Sequence, residues 1–99
     1  MRFMMLLPAP AEALEKCAVP DAGLVTAMRK YDEEMKNAGV LLSEEGLHPT
    51  SKGVRIKVSG GKRIVTDGPF IETKEVIAGF WIIQVNSKEE AVRWAERCP

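Results

Sequence analysis

The chain has few of the residues that hold a small domain together by means other than a hydrophobic core. It carries two cysteines, Cys17 and Cys98, a single histidine, His48, and only two Trp, one Tyr and three Phe in 99 residues. Secreted domains stapled by disulfides have several cysteines at close spacings, so two at opposite ends read as reduced thiols of a cytoplasmic protein. A structural zinc would need both cysteines, His48 and a carboxylate drawn from distant segments. No short chelating pair is present to nucleate such a site, and no metal is expected. Net charge is missing too, because fourteen Lys and Arg balance fourteen Asp and Glu. Without a net positive field, sequence-independent binding to phosphate backbones or anionic lipid has no driving force, and nucleic acid is not an expected partner. No apolar run approaches the roughly 20 residues of a membrane-spanning helix, and the run from Phe3 to Leu7 is shorter than the usual signal-peptide core of about 7–15 residues. No membrane partner is expected.

What is present is the balance of a globular protein, 45% hydrophobic and 28% charged, at a length that fits one domain over residues 1–99. Arg2 to Leu7 is nearly continuous apolar sequence closed by Pro8, which fits a buried strand. Ala9 to Cys17 is rich in Ala and Glu and fenced by prolines, so a short helix and an ordered loop both fit. From Asp21 to Ala38, Leu24, Met28, Tyr31 and Met35 recur at spacings of four, three and four, the period of an amphipathic helix. Gly39 follows where a left-handed cap is expected, and Val40-Leu41-Leu42 opens a second strand.

Val54, Ile56 and Val58 alternate with Arg55 and Lys57, as in a strand with one dry and one wet face. Gly60-Gly61 turns that strand back onto Lys62 to Thr66, although Ser59 and Lys62 could widen the loop. Gly79 to Val85 is the most apolar run and the expected central strand. Ser87 and Glu90 form a capping box, with Ala91, Trp94, Ala95 and Cys98 on one face of the helix that follows. Two main helices are too few to cover both faces of a sheet, which points to an α+β, ferredoxin-like sandwich with its helices on one face. Covering the other face calls for a second copy, so a homodimer is expected.

Polar groups converge at Thr66-Asp67-Gly68-Pro69-Phe70-Ile71-Glu72-Thr73-Lys74-Glu75. Gly68-Pro69 fixes a turn, and Asp67 ahead of it can accept from the following backbone amides. If the next residues are extended, Glu72 and Lys74 share one side; if they are helical, Glu72 and Glu75 do. By spacing alone, the simpler reading is an Asx-turn at Asp67 and a solvated pair of Glu72 and Lys74 worth at most about 1 kcal/mol. His48 lies on the connection after the second strand and is the one side chain whose ordinary titration lies near neutrality. An exposed loop histidine without a role fits as well. No dinucleotide fingerprint, phosphate-binding loop or nucleophile elbow occurs, and no cofactor is expected.

Asp67-Gly68-Pro69-Phe70, then Glu72, Lys74 and Glu75, then Gly79-Phe80, the Trp94-Ala95 helix, and Gly39-Val40-Leu41 followed by Gly46-Leu47-His48-Pro49 resemble the DGPF-domain branch of the YCII-related family. The resemblance covers nearly the whole chain except the stretch near Ala9 to Asp21. It implies a ferredoxin-like fold forming a dimeric α/β barrel, with a cleft between sheet and helices or at the dimer interface. Members of the wider group use a His-Asp pair with the histidine in the first helix, and some act in breakdown of chlorinated aromatics. Near that place this chain carries Met28, an inert thioether, so the pair does not transfer. Acid–base chemistry would fall to Asp67 as base with His48 as partner, while Phe70, Glu72 and Lys74 hold a small polar or anionic ligand. The resemblance also implies an alternative, a non-catalytic accessory or sensor protein working with an extracytoplasmic-function sigma factor. Family members usually continue past the last helix into a further strand, whereas this chain stops at Cys98-Pro99.

Overall fold

A computed structural model describes residues 1–15, 21–70 and 73–99 of the chain. The elements run β1 (Arg2–Pro10), α1 (Ala11–Glu15), α2 (Ala22–Asn37), β2 (Leu41–Gly46), a 3₁₀ turn (Thr50–Lys52), β3 (Val54–Ser59), β4 (Lys62–Asp67), β5 (Glu75–Gln84) and α3 (Lys88–Glu96). β5 is the central strand of a sheet ordered β1-β5-β2, and β3 and β4 form a separate two-stranded sheet. Met1 and Val85 exchange both backbone hydrogen bonds, at 2.9 and 3.0 Å, as an antiparallel pair does. The chain is thus α+β with antiparallel sheets, an arrangement compatible with a ferredoxin-like fold. Its residues fall into two compact units, one from Met1–Leu6, Val19–Glu45 and Gly79–Pro99, the other from Leu7–Ala18 and Gly46–Ala78.

The first unit holds the core. Tyr31 and Met35 of α2 are buried with Val40, with Trp81 and Ile83 of β5, and with Val85 and Ala91. Tyr31 meets Trp81 edge to face at 5.7 Å between ring centroids and Trp94 of α3 at 6.4 Å, and its hydroxyl donates to the Trp94 carbonyl at 2.6 Å. Asp21 caps α2 by accepting from the Leu24 amide at 3.1 Å, and Gly39 beyond its end has φ of 73°, the left-handed value that glycine adopts without penalty. Leu24, at the exposed first turn, lies outside the core although it shares the apolar period. The face of β5 that carries Trp81 and Ile83 lies toward α2. The alternate residues Phe80 and Ile82 are half-buried, and Met4 and Leu6 of β1 are 57% and 54% exposed.

Three local readings are corrected. β1 is an edge strand with alternating exposure and continues through Pro8 to Pro10, because the outward side of an edge needs no amide donor. In α3, Ser87 accepts from the Glu90 amide at 3.2 Å, but the Glu90 carboxylate reaches back one residue further, to the Asn86 amide at 2.9 Å. Ala95 is exposed, while Ala91 is buried and Trp94 and Cys98 are half-buried.

In the second unit, Ser59 pairs with Lys62 across Gly60-Gly61, whose φ values of 57° and 78° form the two-residue hairpin turn without widening. The alternation of Val54, Ile56 and Val58 correctly gives the strand, but the expected dry face is wet: every residue from Val54 to Asp67 is exposed. Ile56 and Val65, directly opposite one another, are 58% and 63% exposed.

Candidate ligand-binding site

The turn after β4 is held from outside. The Gly68 amide donates to the Gly53 carbonyl at 2.9 Å, and the Phe70 amide donates to Thr50 Oγ1 at 3.2 Å. Both amides therefore have acceptors other than Asp67, and the Asx-turn anticipated there does not use them. Gly68 fits because nothing larger can: a Cβ on it would lie 1.7 Å from the Thr50 carbonyl oxygen. The peptide bond from Gly68 to Pro69 is cis.

Beyond this turn Phe70 is half-buried, with the Arg55 guanidinium 4.2 Å from its ring centroid, a cation–π contact that fixes the ring plane. Thr73 returns its amide to the Phe70 carbonyl at 3.0 Å, and the Ala11 amide donates to the Lys74 carbonyl at 2.9 Å, tying the start of α1 to the segment before β5. A cavity of about 410 Å³ opens beside this tie. Pro10, Ala11 and Glu12 line one part of it, and Pro69, Phe70, Thr73 and Lys74 line the rest. Its volume falls in the range of roughly 300–1,000 Å³ common for small-molecule sites. Among the described residues no carboxylate lies within ion-pair distance of the Lys74 ammonium.

The structure thus brings together two of the expected site residues, Phe70 and Lys74. Asp67, paired with Val54 at the base of the hairpin, and His48 are both exposed, and neither lines the cavity. Among the described residues no hydrogen bond joins them. Glu72 lies outside the described residues, as does Cys17. Glu12 was not anticipated. It enters the site through the Ala11 to Lys74 bond, which joins positions far apart in sequence, and no local pattern announces it.

The YCII-related domain family matches residues 1–99. The chain belongs to the YCII-related family. It is also 42% identical over 72 residues to an uncharacterized protein of Rhizobium meliloti (strain 1021), a match covering 73% of this chain and 55% of that relative. The chain therefore spans about half the length of the relative it matches.

This YCII-related domain has a second polar cluster, in the unit that holds the core. Asp32 of α2 is half-buried, and its Oδ1 accepts from Trp81 Nε1 at 2.9 Å. Desolvation raises the Glu44 carboxyl above its ordinary value, and a hydrogen bond with Asp32 and the charge of Asp32 add to the rise. Lys36, with Nζ at 3.9 Å, opposes it. Burial pushes the Tyr31 phenol up to about 12 and also raises the Cys98 thiol, with Asp32 contributing to both. Among the described residues no three His, Cys, Asp or Glu side chains gather as metal ligands would, and no helix is long and apolar enough to cross a membrane.

Proposed function

We propose that this YCII-related domain, of the DGPF branch and continuous over residues 1–99, binds a small polar or anionic molecule in the cavity beside Phe70 and Lys74. The carrying observation is an ammonium without an ion-pair partner among the described residues, set beside a cavity with an aromatic wall. An anion there gains a charge-assisted contact, and its apolar part covers the Phe70 ring. Glu72 completes the binding set in this reading. Titration calorimetry with small organic carboxylates tests it: binding is expected in the wild type and lost in Lys74→Gln and Phe70→Ala. Equal affinity in all three proteins would refute it.

In the catalytic form of this reading, Asp67 takes a proton with help from His48 and Lys74 stabilises developing negative charge. The exposed Asp67 carboxylate is accessible to a substrate. Asp67→Asn keeps the shape and removes the base, so an activity that persisted undiminished in that variant would eliminate the scheme.

We also propose a homodimer, in which a second copy covers apolar strand residues that one copy leaves in water. Met4 and Leu6 of β1 and the five aliphatics of the β3–β4 hairpin support it. Sedimentation is expected to show a dimer that Leu6→Ser or Ile56→Ser dissociates; a monomer at all concentrations would contradict it. The sigma-factor reading draws support from the same hairpin, whose exposed aliphatic and cationic residues suit protein docking. It expects capture of a sigma factor on the full chain and loss of that capture in Ile56→Ser.

A further inference from the structure

The β3–β4 hairpin has two unlike faces. In an antiparallel ribbon, residues directly opposite one another share a face, as do alternate residues along each strand. The register sets Val54 opposite Asp67, Ile56 opposite Val65 and Val58 opposite Arg63, so these six lie together. Arg55, Lys57 and Lys62 lie on the other face, which is turned at its base toward its own chain, where Arg55 stands over the Phe70 ring at 4.2 Å. The first face holds four aliphatics, each more than half exposed, with a cation near the Gly60-Gly61 turn and an anion at the open end. Arg63 and Asp67 stand four residues apart on β4, about 13 Å along the strand, and among the described residues neither has an ion-pair partner. A two-stranded ribbon with an uncovered aliphatic face is marginal in water, so this face needs an occupant.

We infer that the occupant is the same face of a second copy, related by a two-fold axis that crosses the strands at the pair of Ile56 and Val65. This rests on the homodimer reading and specifies its contact. The axis reverses one ribbon over the other, so that β4 lies on the partner's β4 in the opposite direction. Arg63 then stands over the partner's Asp67, Asp67 stands over the partner's Arg63, and Ile56 and Val65 each meet their own counterparts. An axis running along the strands would instead set both charges over valines, desolvated and unpaired. The facing surface of each copy is neutral, one cation and one anion, because Arg55, Lys57 and Lys62 point away from the contact. A second copy therefore suits the aliphatic face, whereas an acidic partner would seek the cationic one. In this dimer Asp67 serves the interface rather than proton transfer, and neither it nor Arg63 lines the cavity at Lys74.

The test is charge reversal on the full chain, with the dimer dissociation constant measured by sedimentation. Arg63→Glu alone and Asp67→Lys alone each place like charges across the contact twice, and each is expected to weaken the dimer at least about tenfold. The double variant, Arg63→Glu with Asp67→Lys, restores opposite signs and should return the constant to within about threefold of the wild type. Both residues are exposed, and recovery in the double variant separates a lost contact from a damaged fold. If the dimer withstands both single reversals but is lost in Leu6→Ser, the hairpin contact falls and the homodimer stands. If the double variant is no tighter than the single ones, the pairing of Arg63 with the partner's Asp67 falls. If the wild type is a monomer at all concentrations, the contact and the homodimer fall together.

Discussion

The indole Nε1 of Trp81 donates to Oδ1 of Asp32 at 2.9 Å, joining the central strand to the long helix by a hydrogen bond beside the core. Trp81 is 7% exposed, so its N–H has little access to water if that acceptor is removed. Asp32→Ala is expected to cost about 1–3 kcal/mol, the penalty of an orphaned buried donor, and Asp32→Asn, which keeps an oxygen there, clearly less. Urea unfolding of the three proteins measures the difference. Equal losses in the two variants would mean the bond contributes nothing specific.

Glu44 makes stability depend on pH with an unusual sign for a carboxyl group. Desolvation and the neighbouring Asp32 favour its neutral form, so the folded chain holds that proton more tightly than the unfolded chain. The resulting stabilisation is complete below the ordinary glutamate value and is lost as pH rises through the raised one. Glu44→Gln mimics the protonated state, and its advantage over the wild type should grow as pH rises through that window. Solvent screening at this partly exposed site keeps the effect small. Parallel stability profiles for the two proteins would contradict the assignment.

Tyr31 is the only tyrosine, so its ionisation can be followed without ambiguity. Burial is the main cause of its rise to about 12, with the charges of Cys98 and Asp32 adding and Arg97 opposing. The associated stability is present below pH 10, the ordinary phenol value, and is lost between there and about 12. Phenolate absorbance is expected to appear late, with or after unfolding. A reversible transition at the ordinary value in the folded protein would show that the ring is not buried as described.

At Gly68 the constraint is steric. The carbonyl oxygen that an added methyl would meet belongs to the Thr50 backbone, which cannot rotate aside as a side chain can. Gly68→Ala should therefore cost more than the about 1–3 kcal/mol of ordinary overpacking, and should separate Thr50 from Phe70. Hydrogen exchange at the Phe70 amide, slowed in the wild type by its bond to Thr50 Oγ1, is expected to accelerate. Unchanged protection would show that the turn accommodates the methyl.

Much of the scaffold was legible because local chemistry specifies it. Ser87 caps a helix, Gly39 and Gly60-Gly61 take positive φ, and the run around Trp81 forms the central strand. The covering of those elements was not legible. The alternation of Val54, Ile56 and Val58 reports a strand but not what lies on it, and here all three are in water. At the candidate site, Phe70 and Lys74 stood out by their closeness to the fixed Gly68-Pro69 turn. Glu12 could not, since only a long-range backbone bond carries it there, and Asp32 was hidden because its partner indole lies on a different element.

The exposed hairpin also bears on how the molecule behaves in bulk. Between Val54 and Asp67 it presents Arg55, Lys57, Lys62 and Arg63 against Asp67 alone, an excess of three positive charges, so the remainder of this electrically neutral chain carries an equal negative excess. Chromatographic media see patches rather than totals. At low ionic strength the protein should adhere to both cation and anion exchangers near its isoelectric point, and a modest addition of salt should release it from either.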